Sequence, residues 1–168
     1  MTATTPARLR LDGHCLIVLE RTLLAAAPEE GCALLLGEHS GSTLRLQWIW
    51  PCRNVWQPAQ ERHRRFSLDP REQVLAQRWC RSRAITVLGA AHSHPSSAAV
   101  PSATDRQLCV GPSLMVIRSG SEPAAKALRA WWMPDMDSGN ALQEPTELTI
   151  ELTIEPPVAA AGAGHLGE

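Results

Sequence analysis

The most informative segment of the chain runs Ile85-Thr-Val-Leu-Gly-Ala-Ala-His-Ser-His-Pro95 and is followed, after a short loop, by Ser102 and Asp105. The residues before the histidines are apolar and include β-branched side chains, a pattern typical of a buried strand. Side chains two positions apart in a strand point to the same face, so His92 and His94 can reach one metal ion together. The proline has no backbone donor and is expected to end the strand directly after the second histidine.

Ser102 and Asp105 have the spacing of a capping box. The sequence Ser102-Ala-Thr-Asp105 predicts the start of a helix, with the serine as N-cap, and directs the carboxylate back toward the strand end. Taken singly, each residue has a simpler role, as a helix cap or a hydrogen-bonded histidine. Two imidazoles and one carboxylate together leave one tetrahedral position of a zinc ion open for water, as in catalytic sites. We therefore predict that His92, His94 and Asp105 bind a zinc ion (Zn2+).

A zinc hydrolase commonly uses a further carboxylate, outside the ligand set, to move a proton. The candidate is Glu30, at the mouth of the continuous apolar run Gly31-Cys-Ala-Leu-Leu-Leu-Gly37, which is interpreted as a buried strand. Its neighbour Glu29 is interpreted as a solvated charge. Cys32 could in principle be a nucleophile, but its place in the apolar run favours core packing.

These motifs together resemble the JAMM (MPN-plus) metalloprotease family over about residues 12–135. The resemblance rests on Glu30-Gly-Cys-Ala-Leu-Leu-Leu-Gly37, on His-Ser-His-Pro95 with Ser102-Ala-Thr-Asp105, and on Asn54 and Arg65-Phe-Ser-Leu-Asp-Pro70 between them. Ala33 and Ala91 depart from the family pattern, in which glycine and a larger residue are common at these two places. Neither departure removes a catalytic group.

The resemblance implies a role for each matching residue. His92, His94 and Asp105 match the zinc ligands, Glu30 matches the general base, and Ser102 matches the serine that helps to stabilise the oxyanion. It also implies an α/β fold, namely a three-layer α/β/α sandwich with a mixed sheet, like that of cytidine deaminases. A zinc deaminase itself is excluded, because neither His-x-Glu nor Pro-Cys-x-x-Cys occurs.

The resemblance further implies a metallopeptidase or isopeptidase that hydrolyses an amide at the C-terminal tail of a ubiquitin-like protein. For a stand-alone domain of prokaryotic type, we expect that tail to belong to a sulfur-carrier protein. Two alternatives stay open: a non-catalytic interaction module of the MPN type, and a DNA-repair-associated relative. The complete ligand set disfavours the first alternative, and Ser93 between the histidines, together with the entry at Glu30, disfavours the second.

Composition suits a single enzyme domain that binds neither nucleic acid nor membrane. The 168 residues carry a net charge of −1 with the two signs interspersed. We expect an N-terminal extension (1–11), one domain (12–155) and a disordered Ala/Gly-rich tail (156–168). The basic cluster 62–65 is interpreted as a solvated loop, with docking of an acidic partner as the alternative. The sequence leaves the oligomeric state open, including a homodimer.

Five cysteines without a Cys-x-x-Cys pair favour reduced thiols. The N-terminus lacks the apolar core of a secretion signal, so we expect a cytoplasmic protein.

The remaining patterns predict alternating elements. Helices are expected at 14–27, 70–83 and 102–109, and strands at 31–39, 42–50, 85–94, 113–118, 126–133 and 147–155. In the helix at 70–83, the large residues Val74, Leu75 and Trp79 are expected to face inward. In the strand at 42–50, Leu44, Leu46, Trp48 and Trp50 are expected to share one face.

Overall fold

The computed structural model describes residues 4–135 and 143–154. These residues form one sheet and four α-helices, with a short 3-10 turn at Ala59–Glu61. The strands are β1 (Arg8–Asp12), β2 (Cys32–Ser40), β3 (Thr43–Cys52), β4 (Thr86–His94), β5 (Ser113–Ser119), β6 (Leu128–Met133) and β7 (Thr146–Thr153). The helices are α1 (Gly13–Leu24), α2 (Pro70–Arg81), α3 (Ala103–Leu108) and α4 (Ala124–Ala127).

The sheet is mixed and closes on itself. Its order is β1-β3-β2-β4-β5-β6-β7, and β1 also pairs with β7. β1 is parallel to both neighbours and β4 is parallel to β5, whereas the other pairs are antiparallel. The mixed α/β fold is confirmed, but the described residues form a closed sheet and not a clear three-layer sandwich. Closure depends on β1, a strand that was not predicted and that lies largely within the expected N-terminal extension.

The largest hydrophobic core lies inside the closed sheet, around α1. Asp12 caps this helix, since its carboxylate accepts a hydrogen bond from the backbone N–H of Cys15 at 2.7 Å. Cys15, Leu19 and Leu23 follow at four-residue intervals and are buried, which is the spacing of one helix face. All seven strands contribute buried side chains to the same cluster. The predicted helix at 14–27 is confirmed, although it ends at Leu24.

A second core lies between α2 and the outer side of β2 and β4. The predicted cap of α2 forms, with Asp69 accepting a backbone hydrogen bond. The predicted inward face is confirmed for Trp79, which packs against this core. It is wrong for Val74 and Leu75, which are 54% and 48% exposed, whereas Ala76 and Cys80 are buried. The small side chains of Ala76 and Cys80 let α2 lie close to the sheet, and this close packing buries the face that carries them.

A β-bulge changes the expected orientation of the tryptophans in β3. Gln47 is an extra residue opposite β2, so the alternation of faces is reversed beyond it. Leu46, before the bulge, belongs to the interior core. Trp48 and Trp50, after it, meet Trp79 of α2 edge-on at ring distances of 5.5 and 6.0 Å. The prediction that these β3 side chains share one face is therefore wrong.

The C-terminal strand is paired on both sides within the chain. β7 bonds to β6 and to β1, and it confirms the strand predicted at 147–155, of which residue 155 lies outside the described residues. The strand predicted at 126–133 begins at Leu128, because the preceding residues form α4. The expected tail, 156–168, lies outside the described residues. In the part of the chain that the structure describes, no helix is long and apolar enough to span a membrane.

Gly13, the first residue of α1, and Gly31, just before β2, give a test of this packing. A Cβ on Gly31 would overlap the backbone carbonyl of Leu23, whereas a Cβ on Gly13 meets nothing within 4 Å. We expect Gly31→Ala to lower the free energy of unfolding by about 1–3 kcal/mol, because overpacking strains the backbone. Gly13→Ala is the matched control and should not destabilise the protein. Urea unfolding of both variants measures the difference, and equal midpoints would contradict the proposed close approach.

Candidate metal centre

Three buried side chains converge at one end of the sheet. His92 and His94 come from the end of β4, and Asp105 comes from the first turn of α3. The two Nε2 atoms are 3.0 Å apart, and they lie 3.2 and 3.3 Å from Oδ2 of Asp105. The structure thus brings together the three ligands predicted from the sequence.

The local sequence explains this convergence. His92 and His94 share one face of β4 because they are two residues apart in a strand. The capping box forms as predicted: Ser102 Oγ accepts a hydrogen bond from the N–H of Asp105 at 3.0 Å, and Asp105 Oδ2 accepts one from the N–H of Ser102 at 2.9 Å. The helix start therefore holds the carboxylate against the imidazoles.

The hydrogen bond of His94 fixes the form of its ring. Its Nδ1 lies 2.7 Å from the backbone carbonyl oxygen of Ala98. A carbonyl can only accept, so Nδ1 carries a proton and donates it. In the neutral ring, Nε2 then has a free lone pair directed at the other two ligands, which is the form that binds metals.

His92 is held by packing. Its side chain is fully buried and stacks on Phe66, with ring centroids 4.3 Å apart and an angle of 18° between the planes. Its Nδ1 is buried and has no hydrogen-bond partner among the described residues. Burial lowers the pKa of His92 and outweighs the opposing effect of Asp105, so this ring is neutral at pH 7.

The carboxylate supplies the negative charge of the group. Burial by itself would raise the pKa of Asp105, but hydrogen bonds from His92, His94 and the backbone of Ser102 hold it well below the ordinary value of 3.8. For His94, hydrogen bonds to Asp105 and Ala98 overcome the effect of burial and raise its pKa. The raised pKa of His94 favours a charge-assisted pair with Asp105 in the metal-free protein, and a metal ion competes with the proton of that pair.

The donor set fits a metal ion. One ligand atom from each of His92, His94 and Asp105 lies within 4.8 Å of the others. Two imidazole nitrogens and a carboxylate oxygen suit zinc and related divalent transition metals. Three protein ligands leave at least one coordination position for water or substrate, so the set is of the catalytic kind.

Glu30 is buried beside this group. Cys32 pairs with His92 across β2 and β4, and Glu30 precedes it by two residues. The side chain is 4% exposed, and its Oε2 has no hydrogen-bond partner among the described residues. Burial raises the pKa of Glu30 to about 7, with Asp105 adding to this rise and His94 opposing it. A carboxyl that titrates near neutrality can both accept and release a proton.

The backbone of Glu30 is anchored by the loop before α2. Its N–H donates to the carbonyl of Arg62 at 2.7 Å, and its carbonyl accepts from Nδ2 of Asn54 at 3.1 Å. The Asn54 side chain also donates to the carbonyl of Arg65 and accepts the N–H of Ser67. The sequence singles out Asn54 only through the family resemblance, and no local pattern indicates this bridging role.

Ser102 and Cys32 differ in exposure and in the chemical role that each side chain can have. The Ser102 residue is exposed beside the ligand group, and its hydroxyl serves the helix cap. Cys32 is buried, with its thiol directed at the carbonyl of Cys52 at 3.7 Å, and burial raises its pKa to about 12. A thiol with that pKa is a poor nucleophile, which supports the core-packing interpretation. All five cysteines lie in the described ranges and are free thiols.

The chain is similar to one protein family and to several solved structures. Residues 15–134 match the family model described as prokaryotic homologs of the JAB domain. The solution structure of protein DSY2949 from Desulfitobacterium hafniense is 29% identical, covers 88% of this chain and 94% of its own, and gives a TM-score of 0.73. For a protein from Salinibacter ruber, the identity is 26%, the coverage 94% and 97%, and the TM-score 0.58.

The crystal structure of AF2198, a JAB1/MPN domain protein from Archaeoglobus fulgidus, is 20% identical over 87% of this chain and 98% of its own, with a TM-score of 0.49. No curated protein matches the chain significantly.

The burial of Glu30 predicts a pH-dependent difference in stability. Its pKa rises from an ordinary 4.5 to about 7 on folding, so the folded protein keeps a proton that the unfolded chain releases in this range. Stability of the metal-free protein should fall by about 3 kcal/mol from this group as pH rises from 4.5 through 7. Glu30→Gln should lack this loss and be the more stable form at pH 8.

The measurement is urea unfolding at several pH values in the presence of a chelator. Glu29→Gln, at the neighbouring half-buried position, is the control and should follow the wild type. If the free energy of unfolding depends on pH in the same way for wild type and Glu30→Gln, the Glu30 carboxyl is not desolvated in the folded protein.

Proposed function

Because the chain belongs to the family of prokaryotic JAB-domain homologues, we propose that it is a zinc-dependent metallopeptidase or isopeptidase. The observation that carries this proposal is the buried group of His92, His94 and Asp105 with the carboxyl of Glu30 beside it, whose buried Oε2 has no hydrogen-bond partner among the described residues. A metal-free scaffold would have no evident use for four ionisable side chains buried together. Zinc at this group would supply Lewis acidity, which polarises a carbonyl and makes water more acidic.

The chain's own residues would divide the remaining work. His92, His94 and Asp105 hold the metal. Glu30 takes a proton from the attacking water, whose oxygen forms a bond to the scissile carbonyl carbon. The amide C–N bond then breaks, and Glu30 returns the proton to the departing amine. The hydroxyl of Ser102, an exposed residue, donates a hydrogen bond to the carbonyl oxygen as negative charge develops on it.

A groove beside the site supports an extended peptide as substrate. It has a volume of about 690 Å³ and runs along the outer side of the sheet, between α2 and α3. Asp105 and Phe66 line the end near the candidate metal. The remainder is lined by apolar side chains such as Leu68 and Leu108 together with polar ones such as Arg65 and Gln73. We propose that the substrate is the C-terminal tail of a ubiquitin-like protein, and more specifically of a sulfur-carrier protein.

Cleavage of a defined substrate tests the reaction. A sulfur-carrier protein extended by one cysteine after its Gly-Gly end is incubated with the zinc-loaded protein and followed by intact-mass spectrometry. We expect loss of the cysteine with wild type and with Glu29→Gln, and a rate about 10²–10⁴-fold lower with Glu30→Gln. Equal cleavage by Glu30→Gln would show that the base is assigned wrongly.

Failure of the wild type on this substrate would reject the sulfur carrier and direct the same assay to ubiquitin-like conjugates. Failure on every such substrate, with zinc bound, would favour the non-catalytic interaction module.

Zinc removal tests the ligand set without a substrate. Saturating zinc, at about 100 times the dissociation constant, should stabilise the chelator-treated wild type by about 2.7 kcal/mol. His94→Ala should lose most of this gain, because one of three ligands is gone. His14→Ala, which changes an exposed histidine of α1, is the control and should keep the gain. Thermal unfolding with and without zinc reports both effects, and an equal gain in His94→Ala would exclude this residue as a ligand.

A further inference from the structure

One peptide group connects the ligand His94 to a distant carboxylate. The carbonyl of the Ala98–Ala99 peptide accepts the Nδ1–H of His94 at 2.7 Å. The N–H of the same peptide donates to Oε2 of Glu122 at 3.1 Å. The carboxylate, the peptide and the imidazole therefore form one continuous chain of hydrogen bonds that ends at the candidate metal.

We propose that Glu122 is a positioning residue, which orients and polarises His94 through the 98–99 peptide. The inference rests on the proposed function, since it presupposes a metal at His94. A histidine ligand is usually oriented by a carboxylate or a carbonyl at its other nitrogen, and this partner makes the ring a better donor to the metal. Here the carbonyl is the direct partner. An anion bonded to the N–H of the same peptide makes that carbonyl a stronger acceptor, because linked hydrogen bonds polarise one another.

The surrounding contacts fix both ends of this chain. Ser119 is fully buried at the end of β5, and its hydroxyl accepts the N–H of Glu122 at 3.1 Å while it donates to the carbonyl of Ser97 at 2.7 Å. Trp131 of β6 donates from Nε1 to the carbonyl of Ala99 at 2.9 Å. The turn that carries Glu122 and the loop that carries the peptide are thus held to each other independently of the carboxylate.

Because these contacts do not involve the Glu122 carboxylate, its effect on His94 can be distinguished from simple anchoring of the loop. If Ser119 and Trp131 keep the loop in place, removal of the Glu122 carboxylate leaves the fold intact and changes mainly the acceptor strength of the Ala98 carbonyl. His92 has no equivalent chain among the described residues, because its Nδ1 is unpartnered there and its ring packs on Phe66. Only one of the two histidine ligands is therefore under this control.

Zinc titration of the metal-free protein against a competing chelator tests the proposal. We expect zinc affinity to fall about tenfold in Glu122→Ala, the lower end of the range for changes behind a metal ligand. Glu122→Gln keeps an acceptor for the Ala99 N–H but has no charge, so its affinity should lie between those of wild type and Glu122→Ala. Glu151→Gln is the control, since this carboxylate of β7 pairs with Arg10 and shares no partner with Glu122.

Proton NMR of the metal-free variants gives a second readout. In Glu122→Ala the Ala99 amide proton should shift upfield and the Nδ1 proton of His94 should exchange faster with water, while thermal unfolding stays close to wild type. Wild-type zinc affinity in Glu122→Ala, with the His94 proton unchanged, would overturn the inference and leave the proposed function intact. Failure of the wild type itself to bind zinc would overturn the proposed function and this inference with it.

Discussion

The Oδ2 atom of Asp105 is the point at which the fold and the candidate site meet. It accepts the N–H of Ser102, and it lies within 3.3 Å of the Nε2 atoms of His92 and His94. One oxygen thus takes part in the N-terminal cap of α3 and also connects that helix to the end of β4. Burial opposes ionisation here, and the hydrogen bonds that the atom receives overcome that effect. Loss of this carboxylate would disturb the helix start and the ligand group together.

The closed sheet adds the proposed base to this arrangement. Because β2 pairs with β4, Cys32 lies opposite His92 and the preceding Glu30 is brought beside the ligands. Burial of a carboxyl whose Oε2 has no hydrogen-bond partner among the described residues lowers stability, and it raises the pKa of Glu30 to about 7. Natural folds keep such unfavourable groups chiefly at functional sites. Burial of Glu30 therefore lowers the stability of the protein, and the same burial gives the carboxyl the pKa that the proposed proton transfer requires.

Features that depend on local sequence could be predicted, and those that depend on distant contacts could not. The face shared by His92 and His94 follows from strand alternation, and the position of Asp105 follows from a three-residue capping pattern. By contrast, β1 exists because two remote strands complete its hydrogen bonds, and the bulge at Gln47 arises from pairing with β2. The partner of His94 is a backbone carbonyl, that of Ala98, and a backbone group leaves no signature in the sequence.

Zinc-edge X-ray absorption of the purified protein identifies the atoms bound to the metal. We expect one zinc ion per chain, with only nitrogen and oxygen neighbours at about 2.0–2.2 Å and the outer-shell signature of two imidazoles. The signature of one imidazole should disappear in His94→Ala. A sulfur neighbour at about 2.3 Å would place a cysteine such as Cys32 on the metal, and it would contradict the assignment of His92, His94 and Asp105 as the complete set of protein ligands.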